Sequence, residues 1–493
     1  MGSLRIVLVL VALLGLAACG GGLGPDLDFD VPDFDVPDVD PGPQLRQKPS
    51  VNVADGGKAT CAWVGDGHVY AERFIPALGW SDYTRIDNGN PTADAPQTTT
   101  TPDGDAMVVW TQDGEVVANC FEVGSGWQGP VVVSSPGGAP GRNPRVGTAD
   151  DGEVVVIYEE DGNVVSRCFV PGAGWLAPDP VATPIEPASE PEVAVNASGD
   201  AVAVWTEGTN DVVASTFESD TGMWSEPVPV GTGTNPEVAI DDQGAAAVVF
   251  VDGDDAEVTM LDPTNGWTAP VVVPMPTSHA ADPVRMPAVD IAPTTGDTIV
   301  VVEVDGEILA SRQPMGGSFE EAVPAMPGVN ASGRPRVTMD DEGNAMTVVE
   351  DGAGHVHSAI YREAYDRWTP PTDEGTGREP VVDANASGET IAVYVVGSAI
   401  GATRVNDLDP TVPRTLNVVI QGQGRVMSDN GLLDCTSSCS LLVPDGTEGL
   451  LIAEPAAGFV FSHWVEASST EQTLPTQISG GDATVTAVFV AIP

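Results

Sequence analysis

Six arginines stand beside prolines that recur along this chain of 493 residues, and arginine is the side chain best suited to hold an anionic group. Three lie two positions before a proline, one lies directly before a proline, and two lie directly after one. In that order they are Arg142, Arg285 and Arg378, then Arg334, then Arg145 and Arg336. A guanidinium can donate two parallel hydrogen bonds to a carboxylate or a phosphate. The spacing therefore predicts an anion-binding cluster, provided that the fold brings these prolines together.

The longest connection between two of the repeated stretches, residues 274–286, is expected to overhang the same cluster. It adds His279 and Asp282 to Arg285 as candidate ligand-binding residues. A second interpretation of the arginines stays open at this point. Each arginine would pair with an acidic neighbour, such as Glu237, and tie adjacent repeats together instead of binding a ligand.

Other residues offer little that is typical of catalysis or metal binding. The five histidines are scattered, and only His355 and His357 are placed to share one face of a predicted strand. No third ligand lies near them in sequence, so neither a metal site nor a cofactor is expected. The chain has no G-x-S-x-G, P-loop, H-E-x-x-H or C-x-x-C motif. No catalytic residue is therefore predicted.

A repeat of about 47 residues must position these side chains. Its copies open at prolines spaced 45 to 51 residues apart, namely Pro49, Pro96, Pro144, Pro191, Pro236, Pro287, Pro335 and Pro380. Each copy predicts an alternating first strand, an almost unbroken apolar second strand, an alternating third strand and a fourth strand ending in Pro-Val. Nine of the ten tryptophans fall on two positions of the repeat. A period of this length with strand-like content is typical of a β-propeller, whose blades have four antiparallel strands.

The fold class is therefore predicted to be all-β, with a multi-bladed propeller over residues 49–405. Seven full copies, together with three further strands predicted in residues 380–405, fit eight blades better than seven. Seven blades stay possible. The fourth strand that the eighth blade lacks is expected to come from residues 42–48.

Four turns of the repeat resemble the Asp-box turn of sialidases, whose propellers hold a substrate carboxylate with arginines. They are the Asp-x-Gly sequences that begin at Asp55, Asp150, Asp242 and Asp341. The sialidase box also has an aromatic residue three positions after the glycine, where this chain has Thr60, Val155, Ala247 and Met346. No tyrosine–glutamate nucleophile pair can be located either. The resemblance implies one alternative function, a carbohydrate-active hydrolase or lyase that works in the propeller mouth.

The formal net charge of −53, from 72 acidic against 19 basic residues, limits the possible partners. So strong a negative field argues against nucleic-acid binding. Self-repulsion between the chains keeps such a protein soluble and predicts a monomer.

The first 48 residues predict export and anchoring. Residues 1–18 have one arginine followed by an apolar run too short to span a bilayer, which is typical of a signal peptide. The LAAC box that ends at Cys19 resembles the lipobox of bacterial lipoproteins, a family whose members are cut before the cysteine and acylated on it. The resemblance implies a lipid anchor and, because Gly20 follows, passage to the outer membrane. A secretory peptide without lipidation is the alternative. Residues 19–48, first Gly-rich and then Asp/Pro-rich, predict an extended tether.

A different domain follows the repeats. Residues 406–414 have the composition of a linker, and residues 415–493 resemble the divergent InlB B-repeat domain, a small β-rich module of bacterial surface proteins. The matching residues are Gly422, Gly424, Val426, Cys435, Cys439, Gly446, Ala453, Pro455, Gly458, Phe461, Trp464, Val485, Ala487 and Phe489. The resemblance implies an accessory or adhesive module. Cys435 and Cys439 are expected to form a disulfide in an oxidising compartment, whereas Cys61, Cys120 and Cys168 are expected to be buried small apolar residues.

These features together predict a lipid-anchored cell-surface binding or adhesion protein. One face of its propeller would recognise a glycan, peptide or protein ligand, most readily an anionic one, without catalysis. A periplasmic scaffold for envelope assembly is a further alternative.

Overall fold

The structure is a computed structural model that describes residues 45–493, apart from residues 77–78, 136, 182–185, 280–281, 398, 406–412, 429–432, 445–446, 466–469, 471, 479–482 and 493. The predicted signal peptide, Cys19 and most of the predicted tether lie outside the described residues, as does most of the predicted linker. No helix in the described part of the chain is long and apolar enough to cross a membrane.

Eight antiparallel sheets follow one another between residues 45 and 405, and each has its first three strands side by side in chain order. The first strands of sheets 1 to 8 are Leu45–Val53, Asp94–Thr100, Gly141–Thr148, Ala188–Val195, Thr234–Ile240, Val284–Ile291, Arg336–Met339 and Arg378–Ala384. The second strands are Ala59–Gly65, Ala106–Gln112, Val154–Glu160, Ala201–Glu207, Ala246–Asp252, Thr298–Val304, Ala345–Glu350 and Thr390–Val396. The third strands are His68–Ile75, Glu115–Glu122, Asn163–Val170, Asp211–Glu218, Asp255–Asp262, Glu307–Gln313, His355–Arg362 and Ala399–Val405.

A short outer strand, in most sheets split into two pieces, pairs with the third strand. In sheets 1 to 5 the pieces are Gly79–Trp80 and Thr84–Arg85, Gly126–Trp127 and Val131–Val132, Gly174–Trp175 and Asp179–Pro180, Met223–Trp224 and Val228–Thr232, and Gly266–Trp267 and Val271–Val272. Sheet 6 has Val323–Pro324, and sheet 7 has Arg367–Trp368 and Thr372–Thr376 after a 3₁₀ turn at Glu363–Tyr365. Among the described residues sheet 8 has three strands. Residues 45–48, expected as its fourth strand, instead extend the first strand of sheet 1 and pair with its second strand.

The second strands hold the core because they are apolar on both faces. Trp110 and Trp205 have no exposed surface, and the same place in sheets 3 and 5 is taken by the equally buried Tyr158 and Phe250. These rings pack between neighbouring sheets, as an unbroken apolar run predicts. Burying an aromatic side chain of this size removes the largest apolar area available to one residue.

The sheets close into a ring. Each first strand contacts the first strand of the next sheet, and the first strand of sheet 8 contacts that of sheet 1. At this junction the Asp383 carboxylate accepts a hydrogen bond of 2.7 Å from the Val53 N–H, and the Asn385 amide donates one of 3.1 Å to the Ala54 carbonyl. The predicted all-β propeller architecture is thereby confirmed.

A bulge at the repeated proline shapes the start of the first strands. In sheet 3 the pairing with the second strand shifts between Arg142 and Arg145, and in the intervening segment Asn143 adopts φ of 49°. Glu190, Asn235 and Glu379 have a similar positive φ, between 53° and 55°, directly before their prolines. A bulge inserts an extra residue and turns the following side chains, so the arginines before and after the proline face different surroundings.

The C-terminal region has a fold of its own, made of two four-stranded sheets. Its strands are Pro413–Gln421, Gly424–Ser428, Asp434–Cys435, Cys439–Pro444, Thr447–Pro455, Phe459–Trp464, Thr473–Ile478 and Ala483–Ala491. Trp464, Val426 and Phe489 are buried at its centre. A Cβ added at Gly424 would lie 2.4 Å from the Phe489 ring, so only glycine lets that ring pack against the backbone.

The cysteines of the described residues divide into a bonded pair and three free thiols. Cys435 and Cys439 form a disulfide, as the sequence predicts. Cys61 is free and buried, as expected, whereas the free Cys120 and Cys168 are only partly buried. Burial raises the pKa of Cys120 and of Cys168 to about 11, so both thiols stay protonated at neutral pH.

Candidate functional site: the arginine-lined channel mouth

The first residue after each repeated proline lines the central channel, and in seven of the eight sheets it lies near the middle of the first strand. The cavity that these residues line is called the channel mouth below. Going round the ring, these residues are Ser50, Gln97, Arg145, Glu192, Glu237, Ala288, Arg336 and Val381, and all eight line one cavity of about 210 Å³. The repeat therefore places eight equivalent positions around one opening and fills them with different side chains. Four of the eight are charged.

Arg145 and Glu192 form a two-point ion pair between sheets 3 and 4. Arg145 Nε and Nη2 donate to the two carboxylate oxygens of Glu192 over 2.6 and 2.8 Å. Only about a quarter of either side chain is exposed. A pair of this geometry fixes both side chains and joins neighbouring sheets.

A second group spans three sheets. Arg336 of sheet 7 donates from Nη1 to Glu237 of sheet 5 over 3.1 Å, and Arg334 contacts the same Glu237 oxygen. Arg334 also donates to the Pro287 carbonyl of sheet 6 over 3.2 Å. Sheet 6 has the small Ala288 at the equivalent position, and this leaves room for the arginines to reach past it.

Three guanidiniums, those of Arg145, Arg334 and Arg336, thus form ion pairs with two carboxylates. Burial lowers the pKa of Arg336, and the neighbouring Arg334 and Arg145 lower it further despite the attraction of Glu237. Burial alone would raise the pKa of Glu237, but the three arginines outweigh it and hold this pKa below its usual value. Arg334 Nε is buried without a hydrogen-bond partner. Within these ion pairs the arginines therefore outnumber the carboxylates by one.

A second cavity adjoins the first on the side of sheets 7 and 8. It measures about 270 Å³ and is lined by Arg334 and Arg336 together with Met286, Glu350 and Glu379. Arg336 is therefore the cation common to both cavities. A ligand entering either one meets this guanidinium.

Other acidic residues of the rim do tie sheets together. Glu159 accepts a 2.8 Å hydrogen bond from Arg142 Nε and another of 3.1 Å from the Glu190 N–H of the next sheet. Glu350 accepts one of 3.0 Å from the Glu379 N–H in the same way. These carboxylates satisfy backbone donors that the bulges leave unpaired in the strand ladder.

The structure brings together three of the six arginines predicted from the sequence. Arg145, Arg334 and Arg336 converge in the mouth, whereas Arg142 lies on its rim, 67% exposed and paired with Glu159. Arg285 and Arg378 are exposed, and no ion pair links either of them to another described residue. The bulge explains the division, because it separates the residues before the proline from those after it.

The other two predicted ligand-binding residues lie in the connection 274–286. His279 places Nδ1 3.3 Å from Asp282 and Nε2 3.2 Å from Glu307, at the turn between the second and third strands of sheet 6. These contacts hold the loop against sheet 6, and neither residue lines the two cavities of the mouth.

Glu192 is the member of the site that the sequence argument missed. It occupies the position directly after a repeated proline, as Arg145 and Arg336 do. Comparing that position across all eight copies, for both signs of charge, would have identified it.

The opposite end of the channel has a different character. Alternate sheets carry an aspartate six residues after the proline, namely Asp55, Asp150, Asp242 and Asp341. Burial, and then the carboxylates of Asp55 and Asp242, raise the pKa of both Asp150 and Asp341. The Asp150 N–H donates to the Ala197 carbonyl of sheet 4 over 3.1 Å, and Asp242 and Asp341 bond to Pro293 and Ala386 in the same way.

The paired histidines have partners of their own. His355 Nδ1 lies 2.9 Å from Asp373, and His357 Nε2 lies 3.0 Å from Asp351. Within the described residues no cluster of three or more His, Cys, Asp or Glu side chains is suited to hold a metal ion.

No protein-family model matches the chain, and no curated protein matches its sequence. Similar solved structures include hydrazine synthase of Kuenenia stuttgartiensis, at 14% identity and a TM-score of 0.47, with 66% of this chain and 99% of that chain covered. A Dos1 propeller is 9% identical with a TM-score of 0.46, covering 73% of this chain and 92% of its own. A variant of Aleuria aurantia lectin in complex with Fucα1-6GlcNAc is 9% identical with a TM-score of 0.40, covering 68% and 98%. The propeller assignment rests on the closed ring of sheets described above.

Proposed function

We propose that this protein is a non-catalytic binding protein of the bacterial cell surface, held there by a lipid on Cys19, and that the channel mouth captures a ligand through an anionic group. The observation that carries the proposal is the convergence of Arg145, Arg334 and Arg336 on only two carboxylates. A carboxylate on the ligand would supply the missing partner and relieve the crowding of positive charge around Arg336.

The surrounding charge makes this spot selective. The chain carries a net charge of −53, so an anionic ligand is repelled over most of the surface and attracted only where cations gather. Cavities of about 210 and 270 Å³ are too small to enclose a whole oligosaccharide or peptide. They suit one carboxylate-bearing unit, such as a uronic or sialic acid residue or the C-terminal residue of a peptide.

Arg336→Gln tests the binding site with little disturbance of its surroundings. After this change Glu192 keeps Arg145 and Glu237 keeps Arg334, so the melting temperature should stay nearly constant. Affinity for sialyllactose, an oligogalacturonate or a peptide with a free C-terminal carboxylate should fall at least tenfold, about 1.4 kcal/mol, by isothermal titration calorimetry.

Arg142→Gln is the matched control, because Arg142 is exposed on the rim and pairs with Glu159 outside both cavities. Its affinity should stay within about twofold of the parent. If Arg336→Gln lowers the melting temperature and leaves affinity unchanged, the arginines only join the sheets. Turnover of any of these probes would contradict binding without catalysis.

The anchor is tested separately on intact cells. Cys19→Ala should abolish acylation and release the protein from the membrane fraction, because the LAAC box has no other cysteine to modify. Labelling with a radioactive or alkyne-bearing fatty acid, followed by fractionation, measures both effects. A variant that stays with the membranes as fully as the parent would show that the anchor lies elsewhere.

A further inference from the structure

A large cavity lies away from the channel, in a groove between the outer parts of sheets 6 and 7. It measures about 1,110 Å³. One wall comes from the end of the third strand and the outer strand of sheet 6, with Glu320, Glu321 and Val323. The other wall comes from sheet 7, with Tyr361 and the loop 365–371.

A local departure from the repeat opens this groove. Sheets 1 to 5 and sheet 7 begin their outer edge with a two-residue piece that carries a tryptophan. In sheet 6 Phe319 stands at that place, is buried, and belongs to no described strand. Sheet 7 adds the 3₁₀ turn Glu363–Tyr365 on the facing side. Sheet 6 thus lacks the first piece of its outer strand at the point where sheet 7 has the additional 3₁₀ turn.

Aromatic rings form one wall of the groove. Trp368 packs against Tyr361 at 5.6 Å between ring centroids, which holds the indole in place. Tyr365 is 50% exposed, and the Arg367 guanidinium lies 5.5 Å from its ring centroid on one side. Exposed rings held in this way suit ligands with one apolar face, because stacking costs little side-chain entropy.

Some charged side chains of the groove have ion-pair partners within the protein, and others have none among the described residues. Arg312 is already paired, at 2.6 Å with Asp297 and at 2.8 Å with Glu363, and the Tyr361 hydroxyl donates to Asp366 over 2.8 Å. Glu320 and Glu321 are exposed, and no ion pair or side-chain hydrogen bond to another described residue occupies their carboxylates. Free carboxylates accept hydrogen bonds from hydroxyl groups and repel anions.

From these contacts we infer that the groove between sheets 6 and 7 is a second binding site, one that takes a neutral saccharide. A sugar ring presents a face of C–H groups, which would lie on Tyr365 and the edge of Trp368, and a rim of hydroxyls, which would donate to Glu320 and Glu321. Cavities of this size and lining are typical of small-ligand sites. Glu320 and Glu321 would repel an acidic sugar from the sheet 6 wall, while Arg367 lies on the opposite wall beside Tyr365. The inference is independent of the proposed function, because it uses other residues and a ligand of different charge.

An array of neutral oligosaccharides, built from hexoses and N-acetylhexosamines, supplies the probe, and calorimetry with the strongest binder measures the affinity. Tyr365→Ala should weaken this binding at least tenfold, and the double change Glu320→Gln with Glu321→Gln should weaken it several-fold. Both sites are exposed, so the fold should persist in each variant.

Two controls locate the effect. Tyr83→Ala removes a similarly exposed tyrosine, 43% exposed, from the outer edge of sheet 1 and should leave the affinity unchanged. Arg336→Gln should also leave it unchanged, so failure of the channel proposal and failure of this one are distinguishable. The inference is overturned if no neutral saccharide binds, or if Tyr365→Ala binds as tightly as the parent.

Discussion

The second strands of the eight sheets are nearly interchangeable, whereas the first strands beside them are not. A large buried ring such as Trp110 or Trp205 recurs at one place of the second strand. The first strands, by contrast, place serine, glutamine, arginine, glutamate, alanine or valine at one shared position in the channel. The repeat positions that keep one kind of residue build the core that every sheet shares. The repeat positions that vary in residue type build the candidate site, because they place different charges on different sides of the channel.

The largest effect on the free energy of unfolding is expected from substitutions in the second strands, which are alike in all sheets. Trp110→Ala and Trp205→Ala should each lower the free energy of unfolding by about 3–5 kcal/mol, since each leaves a large cavity between two sheets. Chemical denaturation measures the loss, and ligand affinity in the mouth should not change. A loss below about 1 kcal/mol at both positions would show that the second strands are not the core.

A finer version of this test separates the two tryptophans. Trp110 Nε1 donates a 3.0 Å hydrogen bond to Gln112, whereas Trp205 Nε1 is buried without a partner. Trp110→Phe should therefore cost more than Trp205→Phe, by about 1 kcal/mol.

A change in pH is expected to have an intermediate effect on the free energy of unfolding. The responsible groups lie in the first strands and in the turns that follow them. Burial raises the pKa of Asp383 and Asp340 to about 7 and that of Asp290 to about 6. The folded protein then holds more protons than the unfolded chain from about pH 4 to about pH 7, so the free energy of unfolding should fall as pH rises through this window.

Asp383→Asn isolates one of these groups, because the amide oxygen can still accept from the Val53 N–H and the Asn52 side chain. The difference in unfolding free energy between about pH 5 and about pH 8 should shrink by on the order of 1–3 kcal/mol relative to the parent. Comparing the variant with the parent removes the general repulsion of the acidic surface. An unchanged difference would mean that Asp383 ionises normally in the folded state.

The smallest effect on stability is expected from a substitution just after the C-terminal end of a first strand. Asp150→Asn removes a carboxylate whose pKa is raised by burial and then by Asp55, Asp242 and Asp151, so repulsion falls and stability should rise slightly, by about 0.5 kcal/mol or less. The gain should disappear at high salt, which screens exposed charges. The same change should not alter binding in the mouth. A loss of stability would indicate instead that the Asp150 carboxylate stabilises its turn.

Sequence repetition was enough to predict the all-β propeller and the buried second strands. It was not enough to predict which arginines meet. Arg336 reaches Glu237 across 99 residues of chain, and the contact depends on the small Ala288 between them and on the bulge before each proline. The groove was missed for a related reason. The groove lies where sheet 6 lacks one piece of its outer strand. A missing strand piece has no sequence motif by which it could be recognised.

The aspartates six residues after the repeated prolines have a consequence for how the ring opens. The backbone N–H groups of Asp150, Asp242 and Asp341 join sheet 3 to 4, 5 to 6 and 7 to 8. A turn that moves on one of these sheets therefore also breaks a hydrogen bond to its neighbour, so we expect each of these three pairs of sheets to open as a unit at this end of the channel.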